Sequence, residues 1–223
     1  MEIRGFRYLA AGLIFICLST INFDVTAQRK SKKKGEVEQK AKEPVISSEL
    51  RQKAEMFHAE AEKYYILEDY AKAFVLYQRS LELDPQNATA YYKIAEIYLK
   101  SEDFEKATYN AQRAIKLDET NKFFYLLLAE IYTKQSNFAE AAATYEQMIQ
   151  KCEKTNEYLF ELAALYIYQD NIKSALDIYS RIEEKFGINE QVTAQKQKLY
   201  LKQSNLEKAI EEGQKLIDAY PGE

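Results

Sequence analysis

A chain of 223 residues that is 47% apolar, with 3 Pro, 6 Gly, 18 Tyr and no Trp, describes a helix-rich protein whose core uses aromatics and alanine rather than strands and turns. The net charge of -4 argues against nucleic acid as the main partner. With His58 as the one histidine and Cys17 and Cys152 as the cysteines, the composition offers no His pair for zinc, no Cys-x-x-Cys motif and no internal disulfide once an apolar leader is removed.

Residues 1–27 read as a signal peptide: Arg4 and Arg7 open it, Tyr8 to Leu18 is an apolar run, and Val25-Thr26-Ala27 offers a small-residue cleavage site. Ser19, Thr20, Asn22 and Asp24 interrupt the stretch and argue against an uncleaved anchor. Ile14-Phe15-Ile16 lacks the small residue expected beside a lipid-modified cysteine at Cys17. The expectation is export, to a periplasm or cell surface. Residues 28–48 form a basic linker expected to be disordered, with seven Lys or Arg against two Glu between 29 and 42. Its charge suits weak contact with an anionic membrane surface, although a plain solvated tether is the simpler reading.

From residue 49 onward a single interval governs the chain. Ala61, Ala95, Ala129 and Ala163 stand 34 residues apart, as do Tyr64, Tyr98, Tyr132, Tyr166 and Tyr200, and Ala73, Ala107, Ala141, Ala175 and Ala209. Ser47 or Ser48 can cap the first helix. Each unit then holds two helical patterns of about twelve and fourteen residues. Asp69, Asp103, Asn137, Asn171 and Asn205 are placed to cap the second helix of each pair, and Asn87, Asn121, Thr155 and Asn189 the next first helix. The recurrent alanines let paired helices approach closely, with Tyr64 and Tyr77 filling the adjoining space.

These residues resemble tetratricopeptide repeats. Phe57, Ala61, Tyr64, Ala73, Tyr77 and Pro85 follow the family pattern, and so do Tyr91, Ile94, Ala95, Tyr98, Ala107 and Ala114. Tyr125, Leu128, Ala129, Tyr132, Ala141 and Tyr145 match in the third unit, and Leu159, Leu162, Ala163, Tyr166, Ala175 and Tyr179 in the fourth. The fifth keeps Tyr200, Ala209 and Pro221 but has Thr193 and Gly213 where bulkier residues are expected. The resemblance implies an all-α, right-handed superhelical solenoid of antiparallel helix pairs, in five units at 54–87, 88–121, 122–155, 156–189 and 190–223.

The ends of the array differ. Where interior first helices carry Ile94 and Ile97, Leu128 and Ile131, or Leu162 and Leu165, the first unit has Glu60 and Lys63, a polar outer face. At the other end Ile210, Leu216 and Ile217 form an apolar edge, expected to be covered by a partner or a second copy, or to mark the interruption of a longer chain. The resemblance further implies a concave groove lined by first helices. Its positions here include His58, Glu62 and Tyr65; Tyr92, Glu96, Leu99 and Lys100; Phe123, Leu126, Glu130 and Lys134; and Phe160 and Tyr168. The expectation is an aromatic and apolar strip at Tyr92, Phe123, Leu126, Phe160 and Tyr168 beside an acidic row, Glu62, Glu96 and Glu130, suited to a protein or peptide with hydrophobic anchors and basic residues. The Lys and Asn with which some family members grip a carboxylate are replaced by His58 and Glu62.

No catalytic residue, metal or cofactor is expected. The chain reads as a non-enzymatic interaction scaffold of the cell envelope. A component of outer-membrane protein assembly and an interaction module of a larger regulator are the alternative readings.

Overall fold

A computed structural model describes residues 47–222. The signal peptide expected at 1–27 lies outside these residues, and so does the basic linker except for Ser47, which caps the first helix through the Leu50 amide, and Ser48, which opens it. The described chain is five consecutive helical hairpins: α1 Ser48–Ile66 with α2 Tyr70–Leu83, α3 Ala88–Lys100 with α4 Phe104–Leu117, α5 Lys122–Lys134 with α6 Phe138–Lys151, α7 Leu159–Tyr168 with α8 Ile172–Phe186, and α9 Glu190–Lys202 with α10 Leu206–Ala219. One 3₁₀ turn, Asn156–Tyr158, leads into α7. Each helix packs first on its hairpin partner and then on the neighbouring helix of the adjoining hairpin, the sequential contact pattern of a helical solenoid. Among the described residues no helix is long and apolar enough to cross a membrane.

Every hairpin turns in the same way. Glu68, Glu102, Ser136, Asp170 and Ser204 all adopt left-handed backbone, with φ between 55° and 60°. That geometry lets the next residue's amide reach back to the tyrosine carbonyl five positions earlier, from Asp69 to Tyr64, Asp103 to Tyr98, Asn137 to Tyr132, Asn171 to Tyr166 and Asn205 to Tyr200, at 2.8–3.0 Å. The same Asp or Asn then caps the second helix, the side chains of Asp69, Asp103, Asn171 and Asn205 accepting from the amides of Lys72, Lys106, Ser174 and Lys208. Asn137 occupies the cap position without making the side-chain bond, and so does Thr155, which precedes the 3₁₀ turn rather than a regular helix. Asn87, Asn121 and Asn189 cap α3, α5 and α9 as their spacing predicts.

The alanines at the 34-residue step, from Ala61 and Ala73 onward, are buried where the two helices of a hairpin cross. Tyr77 is fully buried beside them, while Tyr64 is half-buried at the edge. Between hairpins, Ile94, Ile97, Leu128, Ile131, Leu162 and Leu165 are buried, whereas Glu60 and Lys63 of α1 face solvent.

The fifth hairpin satisfies the same geometry with different chemistry. The first-helix alanine is replaced by Gln197, and Gly213 stands where Tyr77, Tyr145 and Tyr179 stand in other units. A Cβ at Gly213 would lie 2.7 Å from the Gln197 Nε2, which donates to the Ala209 carbonyl at 3.0 Å. The Gln197 side chain occupies the space that a larger residue at 213 would need. The residue before Gln197, Lys196, sits at the position of Ile94, Leu128 and Leu162 and is 3% exposed. Its ammonium lies 2.7 Å from both Glu183 of α8 and Glu212 of α10, and Lys215 pairs with Glu212 at 3.0 Å. An ionic cluster therefore fills the position of an apolar core.

Candidate functional site

Among the first helices α3 lies directly against α5, which brings their equivalent positions onto one face. On this face Tyr65 from α1, Glu96, Leu99 and Lys100 from α3, and Leu127, Glu130 and Lys134 from α5 line a cavity of about 350 Å³, with Glu102 from the α3–α4 turn. Leu99 and Leu127 are buried and form its apolar floor, while Lys100, Glu130 and Lys134 are exposed on its rim. Six of the residues expected in the groove, Tyr65, Glu96, Leu99, Lys100, Glu130 and Lys134, thus come together from three successive repeats. Leu127, Lys93 and Glu102 fall outside the expected positions.

One wall is prearranged. The Lys93 ammonium lies 4.3 Å from the centre of the Tyr65 ring and 5.4 Å from that of Tyr92, and pairs with Glu96 at 2.9 Å. The Tyr92 hydroxyl donates to the other Glu96 oxygen at 2.9 Å. Burial, reinforced by Glu96, raises the Tyr65 and Tyr92 phenols well above their ordinary value, so both remain hydrogen-bond donors. Glu62 is likewise engaged, accepting from the buried Tyr77 hydroxyl. Burial first, and then this bond, hold the Tyr77 phenol protonated.

The acidic row is consequently not one of three equivalent charges. Glu62 and Glu96 are engaged within the fold, Glu96 Oε2 by its ion pair with Lys93 and not by a hydrogen bond, and Glu130 is exposed with no cation at ion-pair distance among the described residues. His58 is half-buried, with Nε2 3.9 Å from Glu62 and its ring 5.5 Å from Tyr77. Its Nδ1 is buried without a hydrogen-bond partner. Burial lowers its pKa more than Glu62 raises it, which keeps the ring neutral.

The expected aromatic strip is broken rather than continuous. Phe123 and Tyr168 are exposed, 58% and 71%, and Tyr168 stacks on Phe138 with ring centres 5.1 Å apart. Tyr92 packs against Phe124 and is half-buried. Leu126 packs into the cluster of Tyr125, Met148 and Cys152, and Phe160 against the core between α7 and α8, so both serve packing. These side chains sit at the seam between neighbouring repeats, where helix periodicity alone does not separate groove from junction. At the far end of the array Ile210 and Ile217 are exposed, and Leu216 is half-buried beside a cavity of about 430 Å³. Cys152 is buried at the end of α6, where burial raises its thiol pKa.

Two family models match the chain, one described as TPR repeat over residues 61–102 and one as Tetratricopeptide repeat over residues 98–156. No curated protein matches. Among solved structures the chain is similar to YrrB, a TPR protein with an unusual peptide-binding site, at 22% identity and a TM-score of 0.55 over 74% of this chain and 86% of that one. It is similar to MamA at 15% identity and 0.57, over 75% and 91%. For the MamA of Desulfovibrio magneticus RS-1 the values are 9% and 0.54, over 78% and 96%. Likeness at these identities concerns the fold. With the 34-residue step, the five hairpins and the two matching repeat models together, the chain is a tetratricopeptide-repeat protein.

Proposed function

We propose that the protein is a non-enzymatic interaction scaffold that holds a peptide segment of a partner protein on the face formed by its first helices. The observation that carries this reading is the cavity built jointly from α1, α3 and α5, with an apolar floor at Leu99 and Leu127 and a charged rim. Its wall of Tyr65, Lys93, Tyr92 and Glu96 is already ordered, so little side-chain freedom remains to be lost on binding. Glu130, together with Glu102 on the same lining, is left for a basic residue of the ligand, next to an apolar anchor on the floor. The peptide-binding site of YrrB supports the use of this fold for such a purpose.

The test is a peptide-library screen against the immobilised full chain, repeated with Glu130→Lys, an exposed position. Peptides pairing an apolar residue with a nearby Lys or Arg should be retained by the wild type and bound at least tenfold more weakly by the variant. An identical set of bound peptides overturns the reading.

The setting we propose is the cell envelope, on the strength of the leader at 1–27 and the basic segment that follows it. Mass analysis of the protein from cells should find a mature chain beginning at Gln28; an intact Met1 overturns export by cleavage.

A further inference from the structure

We infer that the outer face of α10 is a docking site for an amphipathic helix of a partner protein, with apolar residues three positions apart and Lys or Arg along one flank. This surface is separate from the groove and does not depend on it.

The face is defined by the array's own repetition. Leu206 stands at the position of Tyr70, Phe104, Phe138 and Ile172; Ile210 at that of Phe74, Thr108, Ala142 and Leu176; and Ile217 at that of Leu81, Ile115, Ile149 and Glu183, the last of which pairs with Lys196. All of these earlier residues are buried or half-buried, and the large apolar ones pack in the inter-repeat cores. In each case the first helix of the following hairpin covers them, α3 on α2, α5 on α4, α7 on α6 and α9 on α8. On α10 no described residue does so. Leu206, Ile210 and Ile217 are 61%, 62% and 63% exposed, side by side on one stripe of the helix. The occupant is thereby specified: a helix that presents apolar groups as Ile94 with Ile97, or Leu128 with Ile131, present them. The cavity of about 430 Å³ between Asn189, Leu216, Ile217 and Tyr220 gives the end of the stripe a socket for a bulky apolar side chain.

Two features point to a different protein rather than a second copy. A head-to-tail copy would offer α1, which has Glu60 and Lys63 where the apolar pair is required. An antiparallel two-fold pair of α10 helices would bring like flanks together. The flank beside the stripe is Glu207, Glu211, Gln214 and Asp218, all exposed, so acid would meet acid. The same flank favours a basic partner.

The experiment titrates the full chain with a helix-stapled, fluorescently labelled peptide of the α3 sequence, Ala88–Lys100, read by anisotropy. A second peptide carries Ile94→Glu and Ile97→Lys, the residues α1 has at these positions. The first peptide should bind at least tenfold more tightly than the second, and Ile217→Glu in the protein should weaken it at least tenfold. Glu207→Lys with Asp218→Lys should weaken it about threefold at low salt, and Glu130→Lys in the groove should leave it unchanged. All substituted protein positions are exposed, and circular dichroism confirms that the fold is kept. Absence of binding, binding indifferent to Ile217→Glu, or a dimer in sedimentation equilibrium that Ile217→Glu abolishes would each overturn the proposal, the last making the occupant a second copy.

Discussion

The junction between the third and fourth hairpins and the junction between the fourth and fifth occupy the same place in the repeat and are built from opposite materials. In the former, Ile149 of α6, Leu162 of α7 and Ile178 of α8 meet in an apolar cluster. In the latter the equivalent residues are Glu183, Lys196 and Glu212, joined by two contacts of 2.7 Å. The α8–α9 contact is also the sparsest between consecutive hairpins. An apolar cluster gains by leaving water and tolerates small shifts of register. A buried ion triad recovers its desolvation cost only when all three groups are in place, so it contributes little net stability but penalises misplacement heavily.

The contrast can be broken most sharply by removing one charge. Lys196→Ala leaves Glu212, whose side chain is 5% exposed, to be held by Lys215 alone. It should destabilise the protein by about 3–5 kcal/mol in urea unfolding, because an incompletely paired charge stays buried. Replacing the whole triad with its counterparts, Lys196→Leu with Glu183→Ile and Glu212→Ile, should instead be neutral or stabilise by about 1–4 kcal/mol. A large loss in that triple variant would mean that the two junctions differ in more than polarity.

A milder probe is pH. Burial pushes the Glu212 carboxyl up, but hydrogen bonds from Lys196 and Lys215 outweigh it and hold the carboxyl below its usual range. A carboxyl lowered in the folded state contributes stability that is present above its unfolded pKa and is lost as pH falls through the folded one. Hydrogen exchange as the pH falls below the ordinary glutamate value of 4.5 should therefore show α9 and α10 opening before α5 and α6, and Glu212→Gln should flatten that dependence. Smallest of all is the effect expected at the hairpin turns, which are alike in both regions. Glu102→Gly and Ser204→Gly should each stabilise by about 0.5–1 kcal/mol, since glycine adopts left-handed backbone without steric cost. Unequal gains in thermal melts would show that the turns are not equivalent after all.

The hairpins could be read from the sequence because their determinants recur in one dimension. Ala61 and Ala73 face each other wherever the helix phases align, and a turn that needs Asp or Asn after a left-handed residue repeats that choice at Asp69, Asp103 and Asn137. The junctions and the groove were less legible because their chemistry depends on pairs distant in sequence. Nothing near Glu62 announces that Tyr77, fifteen residues on, occupies its oxygen. Lys93 is one residue from an expected groove position, yet it decides which acids remain free. The ionic triad did leave a trace: stepping by 34 from Leu162 lands on Lys196, and a charge in an apolar series calls for partners at the neighbouring helices' equivalent positions. The match between Gln197 and Gly213 could be found in the same way, as paired departures at one crossing.

The distribution of tyrosine along this array has a spectroscopic consequence. Tyr200 and Tyr220 are the tyrosines of the fifth hairpin, both at least partly exposed, whereas Tyr77, Tyr125 and Tyr179 sit buried in earlier ones. With no tryptophan in the chain, intrinsic fluorescence reports mainly on the first four hairpins, while helical circular dichroism counts all five equally. If the last hairpin detaches first at its ionic junction, the two signals will give different midpoints for one protein, and a single melting temperature will not describe it.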